Sequence, residues 1–370
     1  MKDYITYEDA IFFSPSYNKS IDYGLLSSYN KIIFSSFELT DNLIIKFFNN
    51  DFNDFNDLRF ANSIFNQPIE LPENLTHITF GNYFNQPVEL PEKITHLTFR
   101  DEFNQLIKLP PNITHITFGQ KFNQPVELPE KITHITFGQK FIQPVVLPQN
   151  LTHLTFGENF NQPVKLPENI THLTFGAYFN QPVVLPEKIT HLTFGYKFNK
   201  SIVLPENIIH LAFGACFNQH VVLPEKLINL TFGYEFNQSI VLPENITHLT
   251  FGVCFNQPVV LPENLTKITF GRNFNQHIIL PPNLTHLTLG QEFNKKIDFP
   301  FGIKYLKLEG YDDSHNLDYL PIGIEVFVLD KHFYSSLDNL PNSLLVIKLN
   351  SKYKGSIKCL PANTKVEYYD

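Results

Sequence analysis

The chain has no tryptophan, one methionine and three cysteines in 370 residues. Three thiols are too few for the disulfide framework on which small secreted domains depend. Cys216 and Cys254 stand at the same position of a repeat, two repeats apart. At about 4.8 Å per stacked strand, their Cα atoms would lie about 10 Å apart, which is beyond the reach of a disulfide bond. The sequence therefore predicts free thiols.

Charged residues are also scarce: they make up 17% of the chain, and the formal net charge is −8. Affinity for nucleic acid rests largely on Lys and Arg side chains that neutralise phosphates, so nucleic acid is not an expected partner. The first twenty residues lack the basic start and apolar core of a secretory signal, and no run of 18 apolar residues is present to cross a membrane. These absences predict a soluble cytoplasmic protein with no membrane partner.

The dominant feature that is present is a repeat of 19 residues. Phenylalanine recurs at this interval thirteen times without a slip. The positions are Phe65, Phe84, Phe103, Phe122, Phe141, Phe160, Phe179, Phe198, Phe217, Phe236, Phe255, Phe274 and Phe293. A period this short excludes repeats built from helix pairs, which need more than about 30 residues, and leaves solenoids built from strands.

Within one repeat the side chains alternate. Ile78 and Phe80 are apolar, whereas His77 and Thr79 are polar, which is the period-2 pattern of a half-buried strand. The pattern Leu-x-x-Ile-x-Phe, with a following Asn and a Leu-Pro pair, is similar to a shortened leucine-rich repeat. The fold is therefore predicted to be mainly β: a right-handed leucine-rich-repeat-like solenoid with parallel strands on one face.

Glycine closes the strand segment in every repeat from Gly81 to Gly290, except at Arg100. This column indicates either a positive φ or tight backbone packing. After it the chain is expected to return to the core at Val88. Pro87 and Pro91 prevent a helix, so we expect an extended or polyproline-like return path. The Asn of each Phe-Asn pair, such as Asn85, is predicted to bond the backbone of the next turn and so to form a ladder.

Degenerate repeats extend to both ends, so one continuous solenoid is expected. Its parts are an N-terminal cap of degenerate repeats at 1–60, the regular repeat array at 61–300 and a degenerate C-terminal segment with a cap at 301–370. In the first part, YNKSID at residues 17–22 echoes FNKSIV at residues 198–203, and residues 39–53 align without gaps with residues 71–85. In the last part, Leu-Pro pairs recur at an interval of about 20 residues.

The units FNQPVELPEKITHLTF and FNKSIVLPENIIHLAF resemble the FNIP repeat, a motif named for its Phe-Asn-x-Pro core and abundant in giant viruses and social amoebae. The resemblance covers about residues 58–300. It implies a leucine-rich-repeat-like fold, a role in protein–protein interaction and, if the chain is viral, a place in the host cytoplasm. Many members carry an N-terminal F-box that recruits a ubiquitin ligase adaptor. The alternative function is therefore substrate recognition for a ubiquitin ligase, although residues 1–50 contain no recognisable F-box.

Catalysis is not expected, because an active site needs one irregular cluster of reactive groups. The sequence has no Gly-rich phosphate loop, no Cys pair at metal spacing and no Gly-x-Ser-x-Gly elbow. The densest irregularity is EGYDDSH at residues 309–315, which we interpret as a solvated turn rather than a metal site. The predicted function is a non-enzymatic scaffold that binds an unknown protein partner through the strand face and its rim, with no cofactor and no metal.

Histidine forms the first candidate binding surface, because one outward column holds ten of the fourteen histidines. The candidate partner-binding residues in this column are His77, His96, His115, His134, His153, His172, His191 and His210. Three interpretations stay open for them: polar cover of an exposed strand face, chelation of zinc by adjacent rings, or a pH sensor in which crowding lowers the pKa below about 6.5. A Thr-faced solenoid that binds ice or a carbohydrate lattice is a further alternative, although a bulky His stands beside each Thr.

The dipeptide after the glycine column forms the second candidate surface. It changes at almost every repeat, so the fold does not dictate it, and it lies at the rim of the strand face. Exposed aromatic residues of this kind are enriched among interface anchors. The candidate partner-binding rim residues are Tyr83, Tyr178, Tyr196 and Tyr234. Drift at unconstrained surface positions is the alternative.

A third column changes from charged to apolar along the chain. Its early members are Glu70, Glu89, Lys108 and Glu127, and its later members are Val184, Val203, Val222, Val241, Val260 and Ile279. If the later side chains point outward, they form an apolar stripe suited to a partner or to self-association. If the return path packs more tightly in that part of the chain, they are buried. The sequence leaves both possibilities open.

Overall fold

The computed structural model describes residues 3–35, 63–310, 320–329, 337, 340–353, 355, 357 and 359–369. The chain divides into two compact units, Met1–Lys188 and Ile189–Asp370, which we term the first and the second unit. In both units short parallel strands recur once per repeat. The predicted mainly-β, parallel-strand solenoid is therefore confirmed.

The first unit starts with an antiparallel hairpin, β1 paired with β2, and continues with parallel strands. β3 pairs with β4 with Lys31 opposite His77, and from β4 to β9 each strand pairs with the next at a shift of 19 residues. The elements are β1 (Tyr4–Tyr7), β2 (Ala10–Phe13), α1 (Tyr23–Leu26), β3 (Lys31–Phe34), β4 (His77–Thr79), β5 (His96–Thr98), β6 (His115–Thr117), β7 (His134–Thr136), β8 (His153–Thr155) and β9 (His172–Thr174).

The second unit consists of parallel strands throughout its described residues, and they lengthen toward the C-terminus. Equal positions of successive repeats again lie opposite each other, as His191 does with His210. The elements are β10 (His191–Thr193), β11 (His210–Ala212), β12 (Asn229–Thr231), β13 (His248–Thr250), β14 (Lys267–Thr269), β15 (His286–Leu289), β16 (Tyr305–Leu308), β17 (Val326–Leu329), β18 (Val346–Asn350) and β19 (Lys365–Tyr369).

Two columns of phenylalanine fill the core. Phe118 follows strand β6 and Phe122 opens the next repeat, and their ring centroids lie 4.2 Å apart. Along the two columns, Phe118 lies 5.7 Å from Phe137 and Phe122 lies 6.1 Å from Phe141. All four side chains are buried. Because each ring packs on rings of its own and of adjacent repeats, a repeat completes its core only in a stack.

Close backbone approach explains the glycine column. A Cβ atom on Gly138 would lie 1.7 Å from the carbonyl oxygen of Gly119. No glycine among the described residues has a positive φ, so tight packing is the reason for the column and a left-handed backbone is not. Arg100, the exception, has a buried Nε with no hydrogen-bond partner in the described part of the chain.

The predicted asparagine ladder is present. The backbone N–H of Asn104 donates to Oδ1 of Asn85 at 2.9 Å, and the N–H of Asn123 donates to Oδ1 of Asn104 at 2.9 Å. The adjacent glutamine strengthens each rung, since Nε2 of Gln105 donates to the carbonyl oxygen of Asn85. At Ile142 the backbone N–H still donates to Asn123, but the isoleucine has no oxygen to offer to the next repeat.

The return path is extended, and its side chains alternate between outward and inward positions. Pro125 and Glu127 are exposed, whereas Val126 between them is half-buried. Val88 is half-buried in the same way, so its assignment to the core is only partly correct. The path ends in a turn at each Leu-Pro pair, where the N–H of Ile94, three residues after the proline, donates to the Pro91 carbonyl oxygen at 3.2 Å.

Both ends continue the pattern where the structure describes them. Tyr17 stacks on Phe65, and the N–H of Asn66 donates to Oδ1 of Asn18, so the YNKSID segment takes the ladder position that its sequence indicates. Near the C-terminus, Ile324 donates to the carbonyl oxygen of Pro321, as in the regular repeats. The alignment at residues 39–53 lies outside the described residues, and the three domain boundaries stay predictions.

Candidate interaction surface

The candidate histidines of the first unit form one stack on the strand face. Their rings are nearly parallel, with interplanar angles of 10–14°. The centroid distances are 4.2 Å for His77–His96, 4.3 Å for His96–His115, 4.1 Å for His115–His134, 4.1 Å for His134–His153 and 4.2 Å for His153–His172. In the second unit His191 and His210 stack at 4.3 Å.

Threonine hydroxyls orient these rings. Oγ1 of Thr95 lies 2.9 Å from Nδ1 of His96, and the same hydroxyl donates to the carbonyl oxygen of Thr76 at 3.2 Å. A hydroxyl has one proton, so a Thr95 hydroxyl that donates to the Thr76 carbonyl oxygen meets His96 as an acceptor of an Nδ1–H, and Nε2 is then the unprotonated nitrogen of the neutral ring. The same arrangement recurs from repeat to repeat in the first unit.

Burial and neighbouring histidines lower the pKa of several rings in this column. Burial, followed by the charges of His77, His115 and His134, lowers the pKa of His96 to about 4, and burial, followed by the charges of His115 and two further histidines, lowers the pKa of His134 to about 4. Burial is also the main cause that lowers the pKa of His77, His115, His153, His248 and His286. Crowding, the cause expected from the sequence, is therefore secondary to burial.

The ring geometry argues against zinc chelation by neighbouring imidazoles. Because stacked rings are nearly parallel, their nitrogens point in the same direction and do not converge on one ion. Within the described residues no group of three or more His, Cys, Asp and Glu side chains could hold a metal ion. Of the EGYDDSH segment, residues 311–315 lie outside the part of the chain that the structure describes.

In the second unit the strand face changes character over two repeats. Ile209 and Ile228 replace the threonine that precedes the histidine column, and Asn229 replaces a histidine. The side-chain amide of Asn229 contacts Nδ1 of His210, with Nδ2 at 2.6 Å, and Oδ1 of Asn229 is buried with no hydrogen-bond partner among the described residues. Ala212 replaces the threonine that ends most strands. This stretch is therefore more apolar, and Asn229 and Ala212 are smaller than the residues that they replace.

The four rim tyrosines are exposed, but they do not form one patch. In the first unit Tyr83 and Tyr178 lie five repeats apart. In the second unit Tyr196 and Tyr234 are 53% and 54% exposed and lie only two repeats apart, at the same repeat position. The second pair is therefore much closer together along the array than the first pair.

Asn82 shows that the variable dipeptide is not exposed at every repeat. Its side chain is 8% exposed, accepts from the backbone N–H of Ser63 and donates to a carboxylate oxygen of Asp101. The expectation of an exposed dipeptide is wrong at this position. The amide is turned inward because it meets polar groups of both adjacent repeats.

An apolar rim column runs beside the altered part of the strand face. It consists of Tyr196, Ala215, Tyr234 and Val253, whereas the same column in the first unit is mostly polar. Backbone bonds fix its spacing: Cys216 donates to the carbonyl oxygen of Tyr196 at 2.9 Å, and Glu235 donates to that of Ala215 at 2.7 Å. Ala215, the smallest side chain of the column, stands between the two tyrosines.

The cysteines beside this column are free, as the sequence predicts. Burial and the neighbouring carboxylate of Glu235 raise the pKa of the Cys216 thiol, so it stays protonated and unreactive at neutral pH. On the other side of Cys216, Nζ of Lys197 lies 5.1 Å from the ring centroid of Tyr196. The thiols thus belong to the surface chemistry of the rim and not to a redox centre.

The apolar column on the return path points outward, which decides between the two possibilities left open by the sequence. In the second unit the side chains of Val203, Val222, Val241, Val260 and Ile279 are 87–91% exposed. Val146 and Val184 of the first unit are equally exposed. The packing alternative is therefore wrong, because Leu and Pro of the next two positions fill the core instead.

The repeated short strands, the twin phenylalanine columns and the asparagine ladder define a leucine-rich-repeat-like solenoid with a polar strand face. The FNIP Repeat family matches twelve overlapping segments that together span residues 65–311. The chain belongs to the FNIP repeat family. Within the described residues no helix has the length and apolar character that a membrane span requires.

Two solved structures illustrate the likeness. The chain is similar to CroV588 of a giant virus, described as a novel circular LRR protein structure, with 35% identity and a TM-score of 0.77. This similarity covers 99% of the chain and 60% of CroV588, so the chain spans about 60% of the length of that protein. YopM from Yersinia enterocolitica WA-314 has 16% identity and a TM-score of 0.49, with 84% of this chain and 91% of YopM covered. No curated protein sequence matches the chain.

Proposed function

We propose that this chain is a non-enzymatic scaffold that binds a protein partner at an irregular site in its second unit. The site, which we term the interrupted patch, consists of Tyr196, Ile209, Ala212, Ala215, Ile228, Asn229, Tyr234 and Val253. A leucine-rich-repeat-like solenoid is a fold commonly used for protein–protein interaction, and its exposed strand face is the surface that remains free once the core is filled.

The observation that supports this location is the coincidence of two irregularities. The strand face loses its Thr-His pattern at Ile209, Ile228 and Asn229. In these repeats and in the repeats on either side the rim column is apolar, with Tyr196 and Tyr234 on either side of the small Ala215. A regular array needs neither change for folding, since the other repeats stack without them. Two coincident changes on one face are typical of a recognition site.

The chemistry of the patch indicates the kind of segment that it accepts. Two exposed tyrosines provide rigid apolar contact area with a hydroxyl at the tip, which suits the centre of an interface. Nε2 of His210 faces away from the Asn229 contact and can form a hydrogen bond with a polar group of the partner. We expect a partner segment with an apolar side chain that packs on Ala215 between the two tyrosines and a polar group opposite His210.

Affinity capture with matched baits tests the proposal. Wild-type protein is compared with Tyr196→Ser/Tyr234→Ser in a lysate of the cells that make the protein. The control bait is Tyr83→Ser/Tyr178→Ser, which removes the same number of tyrosines from the first unit. A prey that is lost with the Tyr196/Tyr234 variant and kept with the control supports the site.

Two results would contradict the proposal. One is a set of preys that is equal for all three baits. The other is capture by wild type that does not exceed background. Ubiquitin ligase adaptors among the preys would instead favour the alternative function of substrate recognition for a ligase.

A further inference from the structure

The second unit carries an exposed apolar stripe on its return path, whereas its strand face is polar. The stripe consists of Val203, Val222, Val241, Val260 and Ile279, one residue in each of five consecutive repeats. Nearly nine-tenths of each residue is accessible, so the fold makes almost no use of these side chains. Most earlier repeats have Glu or Lys at this position, which shows that the repeat does not require an apolar residue there.

A shallow groove accompanies the stripe in its last three repeats. Val241, Val260 and Ile279 line it together with Leu242, Pro258 and Pro281. At roughly 100 Å² of apolar surface per side chain, the five stripe residues present about 500 Å². This is more than half of the roughly 800 Å² per partner that a specific interface buries, and the exposed polar columns beside the stripe would contribute further area.

Polar columns of different character flank the stripe. Two residues before it the column reads Ser201, His220, Ser239, Pro258 and His277, and three residues after it the column reads Glu206, Glu225, Glu244, Glu263 and Pro282. Members of both columns are exposed. One side of the stripe is therefore acidic, and the other side offers hydroxyl and imidazole donors.

We propose that the stripe is a homodimer interface in which a second copy of this chain packs stripe against stripe, with both solenoids running in the same direction. A two-fold axis parallel to the stripe places the acidic column of one copy opposite the Ser and His column of the other. Glu225 then faces His220 of the second copy, and Glu244 faces Ser239. In the opposite orientation Glu244 would face Glu244 and Glu225 would face Glu263, which is repulsive.

The oligomeric state of the full-length chain tests the first part of this proposal. Sedimentation is measured over a wide concentration range for wild type, for Val222→Glu/Val241→Glu/Val260→Glu and for Val146→Glu. Glutamate is compatible with the fold at this position, because Glu89 and Glu127 occupy it in the first unit. Val146→Glu is the matched control, since it changes an equally exposed valine outside the stripe.

We expect a wild-type dimer whose dissociation constant rises at least tenfold in the triple variant and is unchanged in the control. Circular dichroism melts establish that the variants are folded. A wild-type chain that stays monomeric at all concentrations would overturn the proposal, and so would a dimer that persists in the triple variant. The interface lies outside the interrupted patch, so these outcomes are independent of the capture experiment.

Cysteine cross-linking tests the orientation. In a background with Cys216, Cys254 and Cys359 replaced by Ser, Val203→Cys and Ile279→Cys are oxidised alone and as a mixture. The parallel arrangement brings Val203 of the two copies together, so Val203→Cys alone should give covalent dimers. Cross-links that form only between Val203→Cys and Ile279→Cys chains would overturn the parallel arrangement.

Discussion

Oγ1 of Thr95 lies 2.9 Å from Nδ1 of His96 and gives its own proton to the main chain of the previous repeat. The threonine that holds the imidazole therefore also takes part in the hydrogen bonds that join successive repeats. The position of the ring and its tautomer both follow from the geometry of the array.

The first prediction concerns the tautomer of these rings. In the neutral protein, nitrogen NMR should show His96 protonated on Nδ1, because the Thr95 hydroxyl donates its own proton to the main chain. Thr95→Val should release His96 to a mixture of both forms, whereas Thr95→Ser should preserve the Nδ1–H form. A neutral His96 ring with its proton on Nε2 would contradict this assignment.

The second prediction concerns the stability of the fold at acidic pH. The pKa values of His96 and His134 are about 4 in the folded chain, and the usual value near 6.5 applies to the unfolded chain. Between these values the unfolded chain binds more protons, so the free energy of unfolding should fall as the pH drops from about 6.5 to about 4. Thermal melts across this range measure the loss.

Asparagine offers a control for the acid effect, because Asn229 occupies the histidine column in the native chain. His96→Asn/His134→Asn should keep the fold and reduce the loss of stability between pH 6.5 and 4. Carboxylates titrate in both proteins, so the difference between the two curves isolates the histidines. Parallel curves would show that the two rings do not carry the effect.

The third prediction concerns the glycine column. Gly138→Ala should lower the free energy of unfolding by about 1–3 kcal/mol or more, because its Cβ would overlap the carbonyl oxygen of Gly119. Gly302→Ala is the control, since its Cβ would lie 3.3 Å from the nearest atom. Chemical denaturation measures both changes. Similar stability of the two variants would mean that the backbones separate easily at this position.

The fourth prediction concerns the gap in the asparagine ladder. Ile142→Asn should raise the free energy of unfolding by about 0.5–1.5 kcal/mol, because the new Oδ1 can accept from the backbone N–H of Asn161. Ile142→Ala removes the exposed side chain without supplying an oxygen and should not stabilise the chain. Urea denaturation distinguishes the two, and equal stability would show that the ladder bond adds nothing there.

The core and its periodic bonds could be predicted from the sequence, because a repeated unit imposes the same environment at every copy. The alternation of His77, Ile78 and Thr79 fixes which side chains turn inward, and the constant Asn of the Phe-Asn pair requires a constant partner. The sequence could not decide between an exposed and a buried side chain where both states fit the pattern. The exposed state of Val241 depends on the direction of the return path, which the sequence pattern leaves open.

The interrupted patch illustrates a different limit. The sequence shows departures from the repeat columns at Ile209, Ala212 and Ile228. The regular columns are the stronger signal, so the sequence predicts the histidine column as a binding surface instead. The inward turn of Asn82 was equally hidden, because its partners Ser63 and Asp101 come from two other repeats. Residues that differ from their repeat columns can be recognised as one surface patch only when the register of the strands is known.

The asparagine ladder also bears on how such a gene can change. Each rung joins one repeat to the next through the same atoms, as Asn104 does with Asn85 and Asn123. Recombination that deletes or duplicates one whole repeat would therefore join two ends that already fit. Loss of part of a repeat would shift every later side chain out of its column. The length of the array is thus free to vary in whole repeats, while the spacing within a repeat is held fixed.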